Sequence, residues 1–210
     1  MDLILVRHAV TDWNDEGRLM GRLPPITLNA RGRSQAVATA RALLGLPITA
    51  VLSSPQTRAQ ETAEIIAKQF DLELQIEPAL AEVWLGRWQG RTFRELQGDA
   101  DAERFLADPL HICDAFEPAA DVRTRMVALM ERLRVTATND AVVLVSHGDP
   151  LRVAVAHILR MGLGAYRQMV IDPASITIAR LGGSRGRILT LNWLPEGPAT
   201  LAFRKPTPPA

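Results

Sequence analysis

The chain has 210 residues, 47% of them hydrophobic and 22% charged, with a formal net charge of +1. That length suits one or two domains with a large core, and the balance of apolar to charged residues excludes a disordered chain. The 24 basic residues include only two lysines, Lys68 and Lys205, and never form a run of five, so neither a nucleic-acid nor a membrane-surface partner is expected.

The N-terminal Met1-Asp-Leu-Ile-Leu-Val-Arg7 reads as a strand, because its apolar run over 3–6 is too short for a signal peptide or a membrane span. A run of this length suits a strand buried on both faces. It ends at Arg7 and His8. Helical spacing follows at about 30–44 and 56–69, with short strands at 49–53 and 72–76. Residues 84–118, carrying Trp84, Trp88, Phe93, Phe105 and Phe116, are expected to fold as a small cap whose aromatics pack against one another rather than touch ligand.

Within the cap, His111 and Cys113 make a His-x-Cys pair, and two ligands at that spacing do not make a zinc site, so an ordinary loop or core role is expected. Cys113 is the single cysteine, which excludes an internal disulfide and favours a reducing, cytoplasmic setting. A third helix is expected over 119–136, where Val122, Met126, Leu129, Met130 and Leu133 recur at three- and four-residue steps. The second buried strand, Ala141–Val145, ends at Ser146, His147 and Gly148, and Asp149-Pro150 reads as the cap and first residue of a following helix. Residues 175–181 and 187–193 form a hairpin signal around the glycines of 182–186, which no Gly-Lys-Ser/Thr accompanies; they are a turn, not a phosphate cradle. Residues 195–210 hold five prolines and are expected to be a mobile tail.

Alternating strands and helices imply an α/β fold: one domain over 1–194 with an open, largely parallel sheet, helices on both faces, the small cap and the C-terminal hairpin. Such sheets bind ligands outside the C-terminal ends of their strands. Arg7-His8 and His147-Gly148 are both expected there. So is Arg58, in the first turn of the helix after Ser53-Ser54-Pro55, and a carboxylate is to hand in Glu82.

These four segments resemble the histidine phosphatase superfamily, the phosphoglycerate-mutase-like proteins. The matching residues are Arg-His-x-x-Thr-x-Trp-Asn at 7–14, Ser-Ser-Pro-x-x-Arg-Ala-x-x-Thr-Ala at 53–63, the glutamate of 80–90 and Ser-His-Gly at 146–148, in the family's order across residues 3–160. The resemblance implies that His8 is the nucleophile, that Arg7, Asn14, Arg58 and His147 hold the phosphoryl oxygens with Gly21 and Gly148 in the same binding set, and that Glu82 is the proton donor. Elementary chemistry agrees. A neutral imidazole is a competent nucleophile, and a phosphoryl group in transit needs cations and donors around its oxygens.

Rivals for each role remain in the sequence: Glu61, Glu64 and Glu77 also lie near strand ends, and Asn14 could merely cap a turn. No metal or other cofactor is expected, since two arginines beside His8, His147 and Glu82 would repel a divalent cation. Departures from the family are Ala9 for the usual glycine, Val10, and Met20, which cannot hydrogen-bond a substrate carboxylate. The mutase-type paired arginines after the acid are also absent. These features favour hydrolysis of a small phosphorylated metabolite over a phosphoglycerate-type phosphomutase. A non-catalytic phospho-ligand-binding module would have lost the nucleophile, an arginine or the acid, and none is lost here. Oligomeric state is left open, a homodimer included.

Overall fold

The protein is described by a computed structural model covering residues 1–23, 25–114, 116–136, 141–182 and 186–195. In chain order its elements are β1 (Asp2–Arg7), α1 (Asp12–Asp15), α2 (Ala30–Ala42), β2 (Ile48–Ser53), α3 (Thr57–Gln69), β3 (Leu74–Ile76), α4 (Ala100–Ala107), α5 (Ala119–Thr136), β4 (Ala141–Ser146), α6 (Gly148–Ile158), β5 (Ile176–Arg180) and β6 (Arg187–Trp193).

Side chains alternate across a strand, so a continuous apolar run must be covered on both sides. Leu3 and Leu5 of β1, with Val142 and Leu144 of β4, pack into one layer with α5, α6 and the cap. Ile4, Val6, Val143 and Val145 point the other way, against α2 and α3. The six strands run in the order β3-β2-β4-β1-β5-β6. β1 with β4, β2 with β4 and β2 with β3 are parallel, whereas β5 is antiparallel to both β1 and β6. The expected α/β sheet and C-terminal hairpin are therefore present, while the turn at 183–185 and residues 196–210 lie outside the described residues. No helix among the described residues is long and apolar enough to cross a membrane.

The cap contains a helix that the sequence reading passed over, α4, whose N-cap Asp99 accepts hydrogen bonds from the N–H groups of Asp101 and Ala102. Three of its five aromatics behave as expected: Trp88, Phe105 and Phe116 are buried and lie 4.4–5.5 Å apart between ring centroids. Trp84 and Phe93 are exposed instead.

The start of α6 differs from expectation. Its N-cap is His147, two residues before Asp149, and Pro150 falls inside the first turn. A proline there costs no hydrogen bond, because the first four N–H groups of a helix have no intrahelical partner. The chain thus passes from β4 through His147, as N-cap, directly into the helix.

Candidate active site

β1, β4 and β2 are adjacent and parallel, so their C-terminal ends open on one edge. The N–H of His8 donates to the Ser146 carbonyl and that of Ser54 to the Val145 carbonyl, both at 2.9 Å, which carries the register one residue past the strands. Three loops are thereby held together: His8-Ala9, Ser54-Pro55-Gln56 and His147-Gly148.

His8 is almost wholly buried. Its Nδ1–H donates to the Ala9 carbonyl at 2.8 Å, which fixes the tautomer and leaves Nε2 with a lone pair. Arg58 Nε donates to that Nε2 at 3.3 Å. Burial, then the positive charges of Arg58 and Arg7, holds the imidazole well below its ordinary value, so it is neutral throughout the neutral pH range. Arg58 is fully buried from the second position of α3, its Nη2 donates to the Gly21 carbonyl at 2.9 Å, and its burial pulls the guanidinium down to about 10. Arg7 Nη1 donates to the Ile171 carbonyl at 2.7 Å. Each of these two guanidiniums keeps one buried donor without a partner among the described residues, Arg58 Nη1 and Arg7 Nε.

His147 lies across from His8 with ring centroids 5.1 Å apart. Its Nε2 meets Ser54 Oγ at 2.7 Å, and Ser54 Oγ lies 2.6 Å from Gln56 Oε1. The Glu82 N–H also donates to Gln56 Oε1, at 3.1 Å, so the amide oxygen faces both groups. Ser54 must then donate to Gln56 and accept from His147 Nε2–H. That leaves the His147 Nδ1 lone pair buried and without a hydrogen-bond partner among the described residues. Burial, then Arg58, His8 and Arg7, depresses this imidazole as well. Gly148 lies against the same guanidiniums: a Cβ built on it would meet Arg152 Nη2 at 3.4 Å and Arg7 Cζ at 3.6 Å, ordinary contact distances, so space alone does not demand glycine there.

Glu82 Oε2 is 3.9 Å from His147 Nδ1, and Oε1 accepts the Val83 N–H at 2.8 Å. Burial and the negative Asp149 raise the carboxyl to about 7 against the pull of Arg58 and Arg7. A carboxyl of that strength gives and takes protons at neutral pH. The loop carrying it is clamped from outside. Arg22 Nε donates to the Glu82 carbonyl at 2.7 Å, Arg125 reaches the Ala79 carbonyl at 2.5 Å, and both guanidiniums bond Glu117, at 2.8 Å from Arg22 and 3.0 Å from Arg125.

The rival acids are engaged elsewhere or exposed. Glu61 accepts the Leu28 N–H at 2.8 Å and pairs with Arg33 at 3.5 Å, Glu77 caps the turn at Pro78 and pairs with Arg132, and Glu64 faces solvent. Asn14 completes a capping box on α1: its Oδ1 accepts from the Thr11 N–H at 3.0 Å and from Thr11 Oγ1 at 3.1 Å. It also borders, with Arg7, Gln35 and Asp172, a cavity of about 330 Å³. That cavity does not include His8, Arg58 or Glu82 in its wall, so it meets their cluster only through Arg7. Gly21 takes φ +51°, and a Cβ there would fall 2.3 Å from Gln89 Oε1. Only glycine fits, and its carbonyl steadies Arg58. Met20 is buried, with its Sδ accepting from Thr11 Oγ1 at 3.4 Å. Ser54, Gln56 and the Arg22–Glu117–Arg125 clamp went unnoticed in the sequence. Ser54 and Gln56 at least lie inside a recognised motif.

Residues 3–194 match the sequence profile of the histidine phosphatase superfamily (branch 1). Phosphoserine phosphatase 1 of Hydrogenobacter thermophilus is 33% identical over 193 residues, 90% of this chain and 91% of its own length. The 2,3-bisphosphoglycerate-dependent phosphoglycerate mutase of Thermoplasma acidophilum is 31% identical over 190 residues, 90% of both chains. Among solved structures, mycobacterial glucosyl-3-phosphoglycerate phosphatase complexed with VO3 superposes with a TM-score of 0.82 at 28% identity, over 91% of this chain and 98% of that one. With the profile spanning nearly all the described residues and the histidines, arginines and glutamate gathered at one sheet edge, the chain belongs to the histidine phosphatase superfamily, branch 1.

Proposed function

We propose that the protein hydrolyses phosphate monoesters of small metabolites through a phosphohistidine formed on Nε2 of His8. The observation that carries this reading is the His8 tautomer: Nδ1–H is committed to the Ala9 carbonyl, so the lone pair is on Nε2, within 3.3 Å of an Arg58 nitrogen. Of the six buried side-chain polar atoms without partners among the described residues, three belong to Arg7, Arg58 and His147. Unpaired buried donors are costly, and the two on Arg7 and Arg58, concentrated at one place, suit an anion with several oxygens.

In the first half-reaction the Nε2 lone pair forms the N–P bond as the P–O bond to the leaving group breaks, and Glu82 gives its proton to the departing oxygen. In the second, water attacks phosphorus, Glu82 takes the proton, and the N–P bond breaks to return neutral His8 and phosphate. The guanidiniums neutralise the phosphoryl oxygens throughout, and His147 Nδ1 becomes a third donor once protonated. Hydrolysis is favoured over mutase activity by Met20. Its side chain is buried against Thr11 and offers a second substrate's carboxylate no donor.

Acid-quenched enzyme should carry an acid-labile, base-stable phosphate on the peptide containing His8, and His8→Ala should lose at least about three orders of magnitude in rate. Turnover of p-nitrophenyl phosphate should persist in EDTA and release free phosphate without a bisphosphate primer. Label on Ser54 or His147, restoration by a divalent ion after chelation, or isomerisation of a phosphoglycerate faster than its hydrolysis would each overturn the proposal.

A further inference from the structure

His111 and Cys113 alone supply two metal ligands one residue apart, which is too few. The fold adds a third. Asp101, in the first turn of α4, is brought to the same point on the cap, so that a carboxylate oxygen, an imidazole nitrogen and Cys113 Sγ all lie within 4.8 Å of one another. His111 Nε2 is buried, has no hydrogen-bond partner among the described residues, and is 3.7 Å from Asp101 Oδ1, beyond hydrogen-bond length. The other Asp101 oxygen accepts from Arg87 Nη2 at 2.9 Å.

We propose that Asp101, His111 and Cys113 bind a zinc ion on the cap, with water completing a four-coordinate shell. The donor set is one nitrogen, one sulfur and one oxygen, which suits a borderline-soft cation better than magnesium or calcium. Zinc–ligand bonds of about 2.0–2.3 Å imply ligand separations of roughly 3.3–3.8 Å, so the three groups must close by about an ångström. All three are only partly buried, and His111 and Cys113 lie on the irregular segment after α4, so side-chain rotation can supply that movement.

Arg87 is the nearest opposing charge, but it does not decide the balance. It faces Asp99 at 3.3 Å, Asp101 at 2.9 Å and Asp114 at 3.8 Å, three carboxylates against one guanidinium, before the thiolate is counted. A donor on the second oxygen of a ligating carboxylate is also the usual outer-shell arrangement. Binding exchanges the Cys113 thiol proton for the metal, so affinity rises with pH.

The ion would act on the cap and not on the phosphoryl group. His111 stands 6.3 Å from the Phe116 ring, which packs on Trp88 and Phe105, so a bound metal would tie α4 to the chain that feeds this aromatic cluster. Glu117, the centre of the clamp behind Glu82, is the next residue. Such a site is structural, and phosphatase turnover should not depend on it at moderate temperature.

The test is metal titration of the full-length protein. Zinc, measured against a chromophoric chelator, should bind at one equivalent and raise the thermal midpoint. Cobalt substituted at the same site should give a thiolate-to-metal charge-transfer band and strong four-coordinate visible absorption. Cys113→Ser should abolish the charge-transfer band, and Cys113→Ser and His111→Ala should each weaken zinc binding by at least about tenfold, the lower end of what even outer-shell losses cost. Turnover of p-nitrophenyl phosphate should be unchanged in both variants. Absence of stoichiometric binding, cobalt binding without the thiolate band, or zinc affinity indifferent to both substitutions would overturn the proposal.

Discussion

At the scale of the single residue, the proposed cycle requires Glu82 to be an acid in one half and a base in the other, and its surroundings place it between the two. Burial and Asp149 raise it to about 7, while Arg58 and Arg7 keep it from rising further. His8, depressed well below its ordinary value, does not titrate in the same range. Phosphorylation by an alkyl phosphate should therefore be level on the acid side and fall by about tenfold per pH unit above about 7, as Glu82 loses the proton the alkoxide needs. Glu82→Gln removes that proton but keeps the shape, and should cost about 10²–10⁴-fold on alkyl phosphates and erase the alkaline limb. With p-nitrophenyl phosphate, whose leaving group departs unprotonated, the loss should be at least about tenfold smaller. Single-turnover measurement is needed, because the same carboxylate assists the attacking water. Equal losses on both substrates would make Glu82 a positioning residue only. The same shifts bear on stability with opposite signs. The raised Glu82 carboxyl favours the fold below its ordinary value near 4.5 and loses that contribution as pH rises through about 7. Neutral His8 and His147 disfavour the fold progressively as pH falls below 6.5.

At the scale of elements, the loop that bears Glu82 is irregular, and its position must come from what surrounds it. Glu117 joins Arg22 and Arg125, and these hold the Glu82 and Ala79 carbonyls from the solvent side, while Gln56 holds the Glu82 N–H from the site. Glu117→Gln weakens both ion pairs without creating a cavity. It should cost about tenfold on alkyl phosphates, less on p-nitrophenyl phosphate, and displace the alkaline limb from about 7, with Glu117→Asp restoring part of each effect. Asp15→Asn, which breaks an exposed pair with Arg31, should change none of these. A Glu117→Gln variant with an unaltered pH profile would show that the clamp serves folding alone. None of this clamp was legible in the sequence, because residues 22, 117 and 125 share no local spacing and meet only through the fold. The strands ending at His8 and His147 were legible because buried strands write themselves as unbroken apolar runs. Ser54 and Gln56 were visible within a motif, but their bond to His147 depends on β2 lying beside β4, a fact of sheet order that periodicity does not carry. Asp149-Pro150 misled by two residues for a related reason: a good N-cap pair is equally tolerated within the first turn.

At the scale of the whole molecule, the sheet order sets three parallel strand ends side by side and thereby concentrates charge where water is excluded. Arg58 is the extreme case, fully buried, lowered to about 10 by that burial, and without a carboxylate in ion-pair contact among the described residues. A guanidinium in that position opposes folding until an anion arrives. Replacing poorly paired buried charge with an apolar side chain of similar volume is often neutral or stabilising by about 1–4 kcal/mol. Against that gain, Arg58→Met leaves the Gly21 carbonyl without its donor, at a cost of about 1–3 kcal/mol. The two terms nearly offset, so Arg58→Met should melt within a few degrees of the wild type while losing most of its activity. The difference should appear when phosphate is added. Ligand at a hundred times its dissociation constant stabilises a protein by about 2.7 kcal/mol, and for a chain of this size each 1 kcal/mol moves the midpoint by roughly 2–4 °C. Inorganic phosphate should therefore raise the wild-type midpoint by about 5–10 °C at saturation and leave Arg58→Met almost unmoved. If the variant instead melts well below the wild type and still responds to phosphate, Arg58 is a structural residue, and the anion is held by Arg7 and His147 without it.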